Sequence, residues 1–262
     1  MSEFDTRNFR HFLVALDAGR SVSVDWDAAM DLAMLIGAEL QGLLVEDTDL
    51  LGLAALPIAS EVGRLSGQSR RLERGAIESV LKRRVERIVS ALERAGKQRN
   101  VPVSHRTERG KLVQQALAQG EQGDVLFLGS RRAGATARGE RVRRSARGPV
   151  MLWYDAGPAA AASCELALYL ARHTNAGLIV SFPSALFPSD ADLRAHLGAA
   201  LEKAPGPVSL RALADTRADL LMAAAHAART ARMVLGAGGP LASAEALDYL
   251  CNTFGGDLLL VR

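Results

Sequence analysis

The sequence predicts an α/β fold, with parallel sheets covered by helices on both faces. Three observations lead there. Short apolar runs alternate with longer helical patterns from one end of the 262-residue chain to the other. Most of those runs are continuous stretches of apolar residues, as in strands buried on both faces. A strand-like run ending in Asp-Ala-Gly also occurs twice: residues 12–19 read FLVALDAG and residues 150–157 read VMLWYDAG.

The elements follow in order. Residues 12–17 form a first buried strand, with a turn at Ala18-Gly19. Trp26, Met30, Ala33 and Met34 then recur at helical spacing, with Asp25 placed to cap the helix and Gly37 to stop it. Residues 40–45 are a second strand. Glycine and proline break up residues 50–67. A long helix runs from about 72 to 96, with Ile77, Val80, Leu81, Val85, Ile88 and Leu92 on one face and Arg, Lys and Glu on the other. Residues 103–107 are a third strand, 111–119 a short helix, and 125–129 (VLFLG) a fourth strand.

From residue 150 the programme restarts. The two Asp-Ala-Gly runs lie 138 residues apart, and the same offset aligns Ala38 with Ala176, each just before an apolar strand. Met233-Val234-Leu235-Gly236 echoes Phe127-Leu128-Gly129 at a smaller offset. Helical stretches near 159–174, 191–204 and 217–229, a last helix over 242–251 and a strand at 258–261 complete the second half. The order of these matches predicts an internal duplication, with a first α/β unit over 1–148 and a shorter one over 149–262. The first unit then lacks a fifth strand of its own. Its bare fourth strand calls for cover from the other half or from a second chain, which makes a homodimer an expectation.

Composition narrows the function. A 48% hydrophobic, 23% charged chain is ordinary for a globular protein and excludes a disordered or collagen-like one. Two cysteines, Cys164 and Cys251, make no disulfide framework and no CxxC metal pair. No apolar run approaches the ~20 residues of a membrane helix. The first residues, MSEFDTRNFRH, lead into no signal-peptide core, so the expected location is the cytoplasm. The net charge of +3 is concentrated in residues 131–147, which hold seven arginines and one acid, Glu140. That cluster suits a phosphate, but the absence of aromatics from it disfavours nucleic acid.

No nucleophile elbow, Walker loop or HExxH pair occurs, and the five histidines (His11, His105, His173, His196 and His226) have no ligand spacing. No catalytic residue and no metal site are therefore assigned. In an open parallel sheet, ligands sit beyond the carboxyl ends of the strands. Those positions are Asp17, Glu46, Asp47, Gly129, Ser130, Arg131 and Arg132 in the first half, and Asp155, Gly236, Gly238 and Gly239 in the second. A Gly-Ser turn leading into arginines can offer N–H groups and positive charge to a phosphate. The same glycines also serve tight turns, and the aspartates also serve as caps.

VALDAG on a first strand, an apolar strand running into GLLVED, a strand-borne LGSRR and a repeated half resemble tandem universal stress proteins. The resemblance spans about residues 10–262. It implies Rossmann-like units of the nucleotide α-hydrolase type, with the two halves pairing within one chain. ATP-binding members carry G-x2-G-x9-G-[ST] after the fourth strand and an aspartate on the first. Asp17 and Asp155 match that aspartate. Gly129 alone matches the loop in the first half, with Arg132 at its second glycine. Gly236 and Gly239 match in the second half, where Tyr249 and Leu250 stand in place of the last pair. The resemblance implies a non-enzymatic stress-response or regulatory protein, with ATP or another adenine nucleotide as the family's ligand. The alternatives are a degenerate scaffold that works through an unknown protein partner and, third, a nucleotide hydrolase.

Overall fold

A computed structural model describes residues 9–19, 26–49, 52, 56, 60–62, 67–71, 74–121, 124–128 and 148–262. The strands are β1 (His11–Asp17), β2 (Glu39–Glu46), β3 (Ser60–Val62), β4 (Ser69–Arg71), β5 (Val103–Arg109), β6 (Val125–Leu128), β7 (Val150–Trp153), β8 (Leu178–Pro183), β9 (Val208–Leu213), β10 (Arg232–Gly236) and β11 (Asp257–Val261). The helices are α1 (Trp26–Ile36), α2 (Arg74–Arg99), α3 (Leu112–Gln119), α4 (Ala160–His173), α5 (Asp190–Leu201), α6 (Ala218–Ala227) and α7 (Ala244–Thr253), with a 3-10 turn at Pro240–Ala242. β3 and β4 form a small antiparallel ribbon apart from the main sheet.

Nine strands make one sheet in the order β5-β2-β1-β6-β11-β10-β7-β8-β9. Every pairing is parallel except one: β6 and β11 run antiparallel. The fold class is therefore α/β with a mostly parallel sheet, as the sequence predicts. β7 lies between β10 and β8, so residues 150–153 pair only with later strands. Read outward from the antiparallel seam, the two blocks share one order. β6, β1, β2 and β5 on one side correspond to β10, β7, β8 and β9 on the other, with β11 inserted at the seam.

Side-chain alternation explains the layers. In β1, Phe12, Val14 and Leu16 face one core while Leu13 and Ala15 face the other. The first core takes the apolar faces of α1, α2, α4 and α5; the second takes those of α3, α6 and α7. Both cores continue across the seam, where Leu258, Leu259, Leu260 and Val261 oppose Leu128, Phe127, Leu126 and Val125. Gly37 ends α1 as its sequence position suggests. Its φ is 66°, and the Ala38 N–H donates to Ala33 O at 3.0 Å, satisfying a carbonyl of the last turn. Asp25, expected to cap α1, lies outside the described residues.

β9 is a strand that the sequence reading left unassigned. None of its residues is fully buried, Ser209 and Ala212 are exposed, and Ser209 and Arg211 interrupt the apolar run. It lies at the sheet's edge, where only one neighbour is needed. Among the histidines, His11 pairs with the buried Asp124 at 3.0 Å beside the seam. Arg262 completes that corner: its backbone N–H donates to Asp124 O at 2.9 Å, and Nη1 donates to the Leu117 and Gly120 carbonyls at the end of α3.

Two tests follow from this packing. Arg262→Ala removes charge-assisted bonds to helix-end carbonyls across the seam, so it should lower unfolding stability by about 1.5–3 kcal/mol. Urea unfolding measures that loss, and amide exchange should rise first in β6 and β11. Cys164, 3% exposed on α4, has its thiol pushed up to about 11 by burial and by the nearby Glu165 charge. The fold favours the neutral thiol, so this contribution is whole below pH 9 and is lost as pH rises from about 9 to about 11. Cys164→Ala should therefore lose less stability than the parent between those values, by on the order of 2 kcal/mol.

Candidate functional site

Because the seam is antiparallel, β1 and β7 point in opposite directions. Asp17 and Asp155, which end the Asp-Ala-Gly strands, therefore lie at opposite ends of the sheet with β6, β11 and β10 between them. The structure brings them to two separate places.

At the first, Asp17 is 3% exposed, and its Oδ1 accepts the Gly19 N–H at 2.8 Å. The Ala18 N–H donates to Val45 O at 2.8 Å, which continues the β1–β2 ladder past the end of the strand. The first half of α2 covers this turn. Leu81 is buried against Ala18, with Ile77 and Val85 beside them, and the Arg84 guanidinium donates to Gly19 O. Beyond β2, acids meet bases: Glu46 pairs with Arg109 at 3.1 Å, and Lys111 reaches Asp47 at 3.5 Å and also Asp49. The Asp49 bond holds the Lys111 ammonium above its ordinary pKa. Gly129, Ser130, Arg131 and Arg132, the expected phosphate loop here, lie outside the described residues, as does the rest of the arginine-rich stretch to residue 147.

At the second place, Asp155 repeats the first turn. Its Oδ1 accepts the Gly157 N–H at 3.0 Å, an Asx turn that leads into α4. The intervening Ala156 has φ 53°, a left-handed conformation that costs a residue with a Cβ about 1–2 kcal/mol. The glycines at and after the end of β10 close on this turn. A Cβ on Gly236 would meet the Ser163 Oγ at 3.0 Å and Ala159 at 3.4 Å, and one on Gly238 (φ 97°) would meet Pro158 at 3.2 Å. A Cβ on Gly239 would lie 1.9 Å from Asp155 Oδ2. A side chain at Gly239 would displace the Asp155 carboxylate, because the glycine packs directly against it. Asp155 Oδ2 is buried and has no hydrogen-bond partner among the described residues. The N-cap of α4, Ala159, offers no side-chain cap to the first turn.

The second place thus unites four of the strand-end residues marked in the sequence, Asp155, Gly236, Gly238 and Gly239. Ala156 belonged to the repeated Asp-Ala-Gly run, whereas Pro158, Ala159 and Ser163, which also shape the site, carried no signal of their own. Chemically this turn sets a buried carboxylate oxygen, unpartnered among the described residues and in need of a donor, beside an uncapped helix N-terminus, which favours negative charge. Cys164 and Cys251 are both buried, and no group of His, Cys, Asp and Glu among the described residues is arranged to hold a metal. No described helix is long and apolar enough to cross a membrane.

No protein-family model matches the chain, and no curated protein matches it in sequence. Solved structures do resemble it. A universal stress protein from Archaeoglobus fulgidus DSM 4304 is 13% identical, with 97% of each chain covered and a TM-score of 0.53. A Pseudomonas aeruginosa UCBPP-PA14 protein with the same family assignment is 14% identical, covering 98% of this chain and 94% of its own, at a TM-score of 0.46. The cytoplasmic domain of a prokaryotic cation chloride cotransporter is 12% identical, with 96% of this chain and 95% of that one covered, at 0.40. At such identities the first likeness speaks for the fold alone: the chain has a universal-stress-like, Rossmann-like α/β fold.

Proposed function

We propose that the chain is a non-enzymatic regulatory protein in the mould of tandem universal stress proteins, with units over 1–148 and 149–262, that binds an adenine nucleotide beside Asp155. Two things support the tandem reading: the shared strand order on either side of the seam, and the Asx turn repeated at Asp17 and Asp155. The observation that carries the ligand is the buried Asp155 Oδ2, which has no partner among the described residues. An amino or ribose hydroxyl group of a nucleoside supplies the donor that this oxygen lacks, and the α4 N-terminus accommodates a single phosphate better than a chain of three. Within this reading the protein works in the cytoplasm as a stress-response module, with the halves paired inside one chain and a homodimer as its assembly.

A second reading has one observation in its favour. The contact between Asp155 and Gly239 fills the glycine cradle with the protein's own carboxylate. Under it the chain binds no small ligand and works as a scaffold for an unknown protein partner, with the charged outer face of α2 as the contact surface.

Thermal melting with adenosine, AMP, ADP and ATP separates the two. A nucleotide at ~100 times its Kd should stabilise the fold by about 2.7 kcal/mol, a rise of a few degrees. AMP should act at least as strongly as ATP, and Asp155→Ala should remove the effect while the protein stays folded. No shift with any of the four leaves the scaffold reading.

A further inference from the structure

The two edge strands carry a repeat that fixes how the halves correspond beyond β1 and β7. Residues 102–106 read PVSHR and residues 207–211 read PVSLR, an offset of 105. They hold one register in the sheet: Val103 pairs with Leu40, which pairs with Phe12, as Val208 pairs with Leu178, which pairs with Val150. The helices before these strands obey the same offset. Ile88, Leu92 and Ala95 of α2 match Leu193, Leu197 and Ala200 of α5, and all six pack in the first core. By that measure α5, which starts at Asp190, corresponds to α2 from residue 85 onward. Residues 74–84 are therefore an addition to α2, about 16 Å long at 1.5 Å per residue. The second half has no helical turns at the equivalent positions, 179–189.

The added turns are what closes the Asp17 turn. Leu81, 2% exposed, lies on the fully buried Ala18 with Ile77 and Val85 beside it, in an apolar cluster apart from both main cores. Arg84 adds a latch, its guanidinium donating to the Gly19 carbonyl. Ile77, Leu81 and Arg84 all belong to the addition. Val85 marks its junction with the rest of the helix, since it touches both the small cluster and the first core. Most of the addition faces water: residues 75, 76, 78–80, 82 and 83 are exposed. Three helical turns do not hold their shape in water without packing, and here that packing is a cluster with two buried side chains. Segments with so few buried apolar contacts open at a lower free energy than the fold as a whole.

We propose that residues 74–84 are a lid on the Asp17 turn, hinged near Val85, which opens by local unfolding while the rest of α2 stays packed. Closed, the lid keeps Asp17 and Ala18 from solvent, so of the two Asp-Ala-Gly turns only the one at Asp155 lacks this helical cover. Open, it bares the first turn as well. The chain thus carries one standing strand-end site and one gated site. What the bared turn takes up rests on the nucleotide reading above, and the opening itself does not. Failure of that reading shows in nucleotide melting, and failure of the lid in thiol access.

Cysteine labelling measures the lid without any nucleotide. In a Cys164→Ala, Cys251→Ala background, Leu81→Cys, Ala18→Cys and Leu92→Cys are made singly and labelled with DTNB. Leu92 is the control, since it is 1% exposed on the same helix but packs in the first core. Leu81→Cys and Ala18→Cys should label together, at least about tenfold faster than Leu92→Cys. Their rates should change little in urea below the unfolding transition, while that of Leu92→Cys climbs. Arg84→Ala should speed labelling at 81 and 18 by about tenfold or more and leave 92 unchanged. If the cysteine-free background does not fold, amide exchange of the parent gives the same comparison: residues 75–83 should exchange faster than residues 88–96. Equal rates at 81 and 92, or equal exchange of the two stretches, overturn the proposal. So does an Ala18→Cys thiol as slow as Leu92→Cys, or an Arg84→Ala effect that is the same at all three positions.

Discussion

The β6–β11 seam is the contact on which the rest of this molecule depends. The paired residues of both strands, 125–128 and 258–261, are apolar on both faces, and each strand would otherwise present a row of unpaired backbone donors and acceptors. Joined, they satisfy one another's backbone and turn two sheets into one, so the helical layers on both sides share continuous cores. The pairs across the seam are all apolar, so desolvation as well as hydrogen bonding holds it. Arg262 and the His11–Asp124 pair secure its polar end.

Reversal of direction at the seam also decides where chemistry can happen. In a wholly parallel sheet the carboxyl ends of all the strands would gather along one edge. Here those of β1 and β2 open on one side of the molecule and those of β7, β8 and β10 on the other. The two ends differ in character. Around Asp17 a helix covers the turn, and acids and bases are paired along the rim. Around Asp155 glycines crowd a carboxylate that has one oxygen unmet among the described residues. A shared turn has thus been placed in two different electrostatic settings.

Much of this was legible in the sequence because buried parallel strands must be apolar on both sides. FLVALD, ELQGLLVE and VMLW announce themselves, and the helical period of α2 survives even among its many charges. The edge strand β9 escaped because an edge needs neither full burial nor continuous apolarity: VSLRAL, preceded by Pro207, reads as a loop. The direction of the seam was not readable at all, since β6 and β11 look like any other buried strand. Asp155, Gly236 and Gly239 could be marked singly as strand-end residues. Their meeting depends on β7 and β10 being neighbours, which is a property of topology.

The seam joins strands that lie about 130 residues apart in the chain. At synthesis rates of roughly 5–20 residues per second, the ribosome makes β6 on the order of ten seconds before β11 emerges. Throughout that interval the nascent N-terminal block carries a bare, uncharged strand edge, while its partner is still unwritten. The N-terminal block can collapse early, but it cannot finish its sheet until translation has passed residue 261. The finished protein has no exposed edge there, so the hazard belongs to biosynthesis alone. In the cell, the yield of this fold is then set by whether that edge is shielded on the nascent chain, and two chains translated side by side on one message are the setting in which a β11 could reach the wrong β6.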